Sequence, residues 1–260
     1  MHVDSLAFRT DLALAALAGS LVEDHDDHVV VRTPANPTYW WGNFILLPRP
    51  PSAEEVPGWL DRFADTFPAS RHLAFGVDGP HGSVDDLAAL REAGLTTEAM
   101  TVMTATAVHE PPRPNHEATY RPLVDDDDWS QQLELGLAGE DEHHSVEFVT
   151  AKMAAERSLT GRGIGEWWGA FVDNRLLASM GLVAASPGLA RFQQVKTHPD
   201  ARGRGLAGTL VHEVSRFGFE ELGATTLVMV ADPDYLAIRI YRSVGFADTE
   251  VQLMAERKPG

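Results

Sequence analysis

Two arginines and two glycines alternate in Arg202-Gly203-Arg204-Gly205, with Leu206-Ala207 following. Glycine lets the backbone turn where other residues cannot and lets a ligand come close. The first-turn N–H groups of a helix have no intrahelical partner, and the helix dipole adds partial positive charge there. With two guanidinium groups beside it, such a turn suits a phosphate or pyrophosphate. Glycines also occupy strand-to-helix turns that bind nothing, so the pattern needs context. Gly203-x-Gly205-x-x-Gly208 satisfies the bare dinucleotide fingerprint. An oxidoreductase nevertheless fits poorly, because the preceding strand comes late in its unit and no parallel crossover follows. Other polar clusters have plainer readings. Asp24-His25-Asp26-Asp27-His28 offers ligand atoms, but nothing nearby completes a set, so it reads as a solvated loop and no metal is expected. Asp125 to Asp128 reads as the acidic start of a helix. Gly161 to Gly165 reads as a flexible connection, and His198 and His212 as bystanders on a loop and a helix face.

The elements that position the arginine-glycine turn are legible. Leu189 to Lys196 is apolar and β-prone, and Leu206, Leu210, Val214 and Phe217 recur at helical spacing. The turn therefore joins a strand to a helix. Earlier, helices are predicted over 6–21, 59–67 and 83–93, with Ser83 as N-cap and Gly94 as the stop. Strands are predicted over 29–31, 39–47, 72–77 and 97–107. Three prolines within Pro111-Pro112-Arg113-Pro114 fit neither a helix nor a central strand. The expected organisation is a first domain over 1–110, a linker over 111–117 and a second domain over 118–260. The second begins with a strand over 118–124 and a helix from Trp129, and helical text runs from 142 to 159. Strands over 166–172 and 176–184 flank an Asp173-Asn174 hairpin turn. After the focal strand, turn and helix come a strand over 225–231, a helix over 235–243 ended by Gly245, and strand text from 246 to 256.

The two halves end alike, each with strand, acidic turn, helix, glycine and strand. Aligning Gly94 with Gly245 sets Leu90 opposite Tyr241, and Pro48 to Pro57 falls where the second half has Arg202 to Ala207. A duplicated fold with one degenerate copy accounts for this.

The chain has 260 residues, 44% of them hydrophobic and 23% charged, and a formal net charge of −17. That charge argues against nucleic acid or an anionic membrane as partner and leans toward cationic acceptors. No cysteine is present, which excludes disulfides, thiolate metal sites and cysteine nucleophiles and is compatible with the cytoplasm. No apolar run approaches membrane-spanning length and no signal peptide is apparent.

Over roughly residues 118 to 256 the second unit resembles the GNAT superfamily of acyl-CoA-dependent N-acyltransferases. Arg202, Gly205 and Ala207 match that family's pyrophosphate loop, Arg/Gln-x-x-Gly-x-Gly/Ala. The segment Ala237-x-x-x-Tyr241-x-x-x-Gly245-Phe246 is similar to the one after its fifth strand. The resemblance implies an α/β (α+β) fold of two GNAT-like units, each a mixed central sheet flanked by helices, the first degenerate. It implies acetyl-CoA as acyl donor, held by Arg202, Gly203, Arg204, Gly205, Leu206 and Ala207, with its pantetheine arm along the backbone of Val195 and Thr197. The Val195 amide would meet the developing oxyanion, and Tyr241 would protonate the departing thiolate. Arg191 and Lys196 would join Arg202 and Arg204 in a locally basic island. The expected reaction is transfer of an acyl group, acetyl above all, to a primary amine of a small molecule or peptide by direct attack in a ternary complex. The alternative is an acyl-CoA-binding regulatory or partner-binding module without turnover. Asp234 stands where the family often has Asn, and Arg191 stands near where some relatives place a glutamate base. Glu166, Asp232 or a water chain remain as sources of the base, and the acceptor and oligomeric state are left open.

Overall fold

A computed structural model describes residues 1–37, 39–138 and 146–258. In chain order the elements are α1 (Leu6–Leu17), β1 (Leu21–Asp24), β2 (Val29–Arg32), β3 (Phe44–Leu47), α2 (Val56–Thr66), β4 (Leu73–Val77), α3 (Ala88–Glu92), β5 (Thr96–Ala105), β6 (Thr119–Pro122), α4 (Asp126–Leu137), α5 (Val146–Gly161), β7 (Gly165–Val172), β8 (Arg175–Ser186), β9 (Leu189–Thr197), α6 (Leu206–Glu220), β10 (Thr226–Ala231), α7 (Ala237–Arg242) and β11 (Ala247–Arg257). Among the described residues no helix is long and apolar enough to cross a membrane.

Most expected elements are present, and the departures have local causes. The first helix stops at Leu17 and not at Leu21, because Gly19 turns the chain at φ 93° and Leu21–Asp24 pairs antiparallel with β2. The expected strand over 39–47 is a 3-10 turn, Trp40–Gly42, followed by β3. Asn43 holds that turn, donating from Nδ2 to the Tyr39 carbonyl at 2.8 Å. The helix over 83–93 opens as a 3-10 turn, Val84–Leu87, with the Ser83 N–H bonded to the Asp86 carboxylate at 2.7 Å. The expected flexible connection at Gly161 to Gly165 is the end of α5 and the start of β7. Asp173 and Asn174 both take positive φ, 51° and 63°, as a tight hairpin requires.

The chain divides into two compact units, and neither is one continuous segment. Unit 1 comprises Met1–Val102, Val230–Pro233 and Asp248–Gly260, and unit 2 comprises Met103–Met229 and Asp234–Ala247. The proline run thus belongs to unit 2, whereas residues from 248 onward belong to unit 1.

In unit 1, β1, β2 and β3 are antiparallel, β3 pairs parallel with β4, and β11 pairs antiparallel with β4, Leu253 opposite Val77. Helix α2 makes the crossover between the two parallel strands. Its Phe63 packs with Ile45, Leu47, Phe75, Leu87, Leu90 and Leu253 in one core. The α1 side has its own core of Phe8, Val29, Val31, Phe44, Leu46 and Ala74. The sheet is therefore mixed and covered on both faces.

In unit 2, β6, β7, β8 and β9 form an antiparallel run and β9 pairs parallel with β10 across the α6 crossover. Helix α6 buries Leu206, Leu210, Val211 and Val214, the stripe visible in its spacing. Helix α4 starts where the sequence places it, with the Asp125 side chain accepting from the Asp128 N–H at 2.9 Å. The Asp128 carboxylate is itself buried and takes a forked pair from Arg121 of β6 at 2.6 and 2.7 Å. That arginine holds the Asp128 carboxyl below the usual carboxylate range and ties α4 to the sheet edge. Trp129 of α4 then packs on Trp167 of β7 at 6.3 Å between ring centroids.

Candidate active site

The parallel pairing of β9 with β10 runs from Leu189 to Arg191, opposite Thr226 to Val228. Phe192 to Thr197 extend beyond this pairing. On its other side, β9 loses register with β8. Gly181 faces Gln193 and Ser179 faces Lys196, so Gln194 and Val195 together oppose Met180 alone. Gln194 takes φ 48°, uncommon for a residue with a side chain. This is a β-bulge, which bends the strand and re-aims the residues in it. Such strained positions concentrate at functional sites. The bulge lies at Val195, and Thr197 is the last residue of the strand.

Beyond Thr197 the chain makes a 3-10 turn, Pro199–Ala201, and enters the arginine-glycine turn. His198 is spent on it, accepting from the Asp200 N–H at 3.3 Å, with Nε2 3.4 Å from the Arg175 guanidinium. Gly203 and Gly205 take φ 77° and 80°. At Gly205 the close approach is as decisive as the angle, because a Cβ there would stand 2.5 Å from the Arg113 carbonyl oxygen. At Gly203 a Cβ would meet nothing within 4 Å, so that side of the turn is open. Leu206 and Ala207 begin α6, and the first helical bond is Thr209 N–H to the Gly205 carbonyl at 3.2 Å. The expected linker proves to be the floor of this turn. Asn115 donates from Nδ2 to the Arg204 carbonyl at 3.0 Å and from its N–H to Thr209 Oγ1 at 2.8 Å. Its Oδ1 accepts from the N–H groups of Glu117 and Ala118. Arg204 pairs with Glu117 at 2.8 Å, an exposed contact of the kind worth little in water and readily exchanged for an anionic ligand.

The basic island expected from sequence does not form as one group. Arg191 is only 7% exposed within the paired part of β9. Lys196 reaches toward α4, with Nζ 3.4 Å from the Gly136 carbonyl. Side-chain direction alternates along a strand, and proximity in sequence says nothing about which face a cation joins.

Tyr241 lies on α7, whose C-terminal end is closed by Phe246 N–H to the Tyr241 carbonyl at 3.1 Å and Gly245 N–H to the Arg242 carbonyl at 3.2 Å. Phe246 then packs edge-on against Phe192 of β9 at 5.8 Å. This joins the end of α7 to the part of β9 that lies beyond its pairing with β10. Ile240 approaches the first turn of α6, 3.5 Å from where a Gly208 Cβ would stand. The Tyr241 side chain is buried, and burial pushes its phenol above the ordinary value near 10. The phenol therefore stays protonated at working pH.

A cavity of about 180 Å³ lies between α4, α5 and β9, lined by Gln132, Gly136, Lys152, Glu156, Gln194 and Lys196, with Leu133, Phe148, Val149 and Met153 as its apolar wall. Gln194 and Lys196 are the residues on either side of Val195, so the cavity opens on the bulge. Gln194 Nε2 donates to Glu156 Oε1 at 2.7 Å. Glu156 is buried, and loss of water raises its carboxyl to about 7 against the pull of Lys152 and Lys196. Sequence reading passes over Glu156 because it sits in helical text with no motif around it. Of the residues named earlier as sources of a base, Glu166 is raised by burial alone on β7, and Asp232 belongs to unit 1. His212 contacts its neighbour Glu213 at 3.3 Å on α6.

Residues 171–255 match the FR47-like protein family. No curated protein matches the chain in sequence. Among solved structures, a functionally unknown conserved protein from Staphylococcus epidermidis superposes with TM-score 0.72 at 11% identity, covering 94% of this chain and 96% of its own. A GCN5-related N-acetyltransferase from Kribbella flavida gives 0.67 at 16% identity, with 98% of each chain covered. A tandem GNAT protein from the clavulanic acid biosynthesis pathway gives 0.59 at 14% identity over 97% of this chain and 94% of that one. Residues 171–255 thus match the FR47-like family, and over nearly its whole length the chain has the fold of solved GNAT proteins.

Proposed function

We propose that unit 2 is an acetyl-CoA-dependent N-acetyltransferase acting on a primary amine, with donor and acceptor bound together. The observation that carries this reading is the bulge at Gln194-Val195, which falls where β9 has left β10 and where the cavity opens. An extended donor arm can add to the backbone of Val195 and Thr197 as a further strand, through main-chain groups. The open glycine turn, Arg202, Arg204 and the first amides of α6 suit the donor's pyrophosphate. Acyl-CoA supplies an activated thioester.

The chain's residues supply the rest. Glu156, with its carboxyl near neutrality, takes the proton that the attacking nitrogen of the neutral amine sheds as its bond to the acyl carbon forms. The nitrogen forms its bond to the acyl carbon, the Val195 N–H stabilises the oxygen as negative charge develops there, and the carbon–sulfur bond breaks. Tyr241 gives its proton to the leaving sulfur. Unit 1 is a degenerate copy of the same fold, and the cytoplasm is the compartment proposed. The cavity's volume favours a small molecule over a peptide as acceptor.

A thermal-shift titration with CoA, acetyl-CoA and NADPH tests the donor, since a ligand of the native state raises Tm by mass action. A rise with CoA and acetyl-CoA that is lost in Arg202→Glu/Arg204→Glu is expected. No rise with either, or a rise with NADPH alone, defeats the reading. Donor binding without thiol release across a broad amine panel would leave a binding module in place of an enzyme.

A further inference from the structure

The run Pro111-Pro112-Arg113-Pro114-Asn115 crosses the first turn of α6, and two glycines mark the crossing. A Cβ at Gly205 would stand 2.5 Å from the Arg113 carbonyl oxygen, and one at Gly208 would stand 3.3 Å from Pro111 Cβ. Prolines fix φ and so stiffen this segment. It ends on Asn115, which is buried and has every polar group in use. The Asn115 N–H donates to Thr209 Oγ1 at 2.8 Å, and its carbonyl accepts from the Tyr120 phenol at 3.2 Å. Its Oδ1 accepts from the N–H groups of Glu117 and Ala118 at 3.1 and 3.0 Å. These bonds hold the side chain with Nδ2 on one target, the Arg204 carbonyl at 3.0 Å.

Arg204 and Gly205 share one planar trans peptide, in which the C=O and the N–H point in opposite directions. With the Arg204 carbonyl tied to Asn115, the Gly205 N–H points away from it. Among the described residues that N–H donates to no protein group. Gly205 stands at the start of α6 with φ 80°, and glycine takes either sign of φ at little cost. Its own chemistry therefore does not stop this peptide from turning over. Turned over, it would present the Arg204 oxygen where the N–H had been, and an oxygen repels an anion that an N–H binds.

We propose that Asn115 is a positioning residue for the donor: it fixes the Arg204–Gly205 peptide so that the Gly205 N–H faces the donor's pyrophosphate. It touches neither the donor nor the reacting atoms, and acts through the turn. Asn115 thereby sets the preference for donors that carry a pyrophosphate over those that end at the pantetheine arm. The inference rests on the acyltransferase reading for the identity of the donor.

The test uses the full chain, wild type and Asn115→Ser. Serine keeps an oxygen for the N–H groups of Glu117 and Ala118 but is too short to reach the Arg204 carbonyl. Binding of CoA, pantetheine and inorganic pyrophosphate is measured by calorimetry, and the Gly205 amide is followed by NMR with isotope-labelled glycine. Asn115→Ser should weaken CoA and pyrophosphate about tenfold and pantetheine by less than about twofold, as loss of one oriented hydrogen bond predicts. In wild type the Gly205 amide should shift on addition of CoA or pyrophosphate, and in the variant it should shift less at saturation. Equal weakening of CoA and pantetheine would make Asn115 a folding residue alone and overturns the proposal. A wild-type Gly205 amide that neither CoA nor pyrophosphate moves overturns it as well, even where the variant folds poorly. CoA binding that Asn115→Ser leaves unchanged defeats the proposal and keeps the acyltransferase reading. Pyrophosphate weakened as expected, with no binding of CoA to either protein, supports the role of Asn115 in the turn and defeats the acyltransferase reading.

Discussion

Each unit contains one parallel strand pair joined through a helix, β3–α2–β4 in unit 1 and β9–α6–β10 in unit 2, and the two are finished differently. In unit 1 the pairing continues to the end of β3, with Leu47 opposite Val77 and the Asp78 N–H bonded to the Leu47 carbonyl at 2.8 Å. In unit 2 it stops at Arg191, six residues before β9 ends, and a bulge follows. The turns differ in the same sense. Before α2, the Glu55 carboxylate accepts from the Ser52 N–H at 2.8 Å and from Arg49 at 2.6 and 3.0 Å, and Arg49 first and then Ser52 lower its carboxyl to about 2. The chain's own anion thus serves the arginine and an amide of that turn. Before α6 two glycines take the place of such a side chain, and one side of the turn is open. The two turns share a frame and differ in how it is closed, since in unit 2 Arg204 pairs at 2.8 Å with Glu117 from outside the turn.

The sharpest way to break this contrast is to reverse the charge of each turn. Arg202→Glu/Arg204→Glu should weaken acetyl-CoA by at least about a hundredfold, through loss of charge-assisted contacts and added repulsion, and should abolish the ligand-induced rise in Tm. Arg49→Glu should leave that rise unchanged. Equal loss from both would show that the difference between the turns does not govern donor binding.

Tyr241 is the next separation, since unit 1 has Leu90 at the aligned position. Tyr241→Phe should lower kcat about a hundredfold, within the range for removal of a general acid, while the acetyl-CoA-induced Tm rise persists. Unchanged kcat would make the side chain a packing residue.

The pH dependence sharpens the role of Glu156. A base that must be ionised gives a kcat/KM for the acceptor that falls about tenfold per pH unit below an apparent pKa of about 7, and Glu156→Gln should remove that limb along with most activity. Stability supplies an independent readout. The folded carboxyl is raised from 4.5 to about 7, so between those values the folded protein holds a proton that the unfolded chain has released. Stability therefore falls as pH rises through this window, and the cost is complete above about 7. Glu156→Gln should raise Tm at pH 8 and leave it nearly unchanged at pH 4.

The smallest effects separate the two glycines. Gly205→Ala meets both a positive φ and the Arg113 carbonyl and should cost about 1–3 kcal/mol in denaturant unfolding. Gly203→Ala meets the angle alone and should cost about 1 kcal/mol.

Elements made by local rules were legible from the residues alone. The apolar stripe of α6, the Asp173-Asn174 hairpin, the α7 stop at Gly245 and the strand-glycine-helix order of the focal turn all follow from periodicity, capping and positive φ. These act over a few residues and leave their mark in the string. The segment that matches a known motif, Arg202 to Ala207, was legible for the same reason. Whatever depends on residues distant in sequence was not. Only the tertiary structure brought Asn115 beneath the turn, paired β11 with β4, and buried Arg191 while sending Lys196 toward α4. It also gathered Gln132, Lys152, Glu156 and Gln194 from two helices and a bulged strand into one cavity. The proton affinity of Glu156 depends on how much water that packing excludes, and no pattern within α5 carries that quantity.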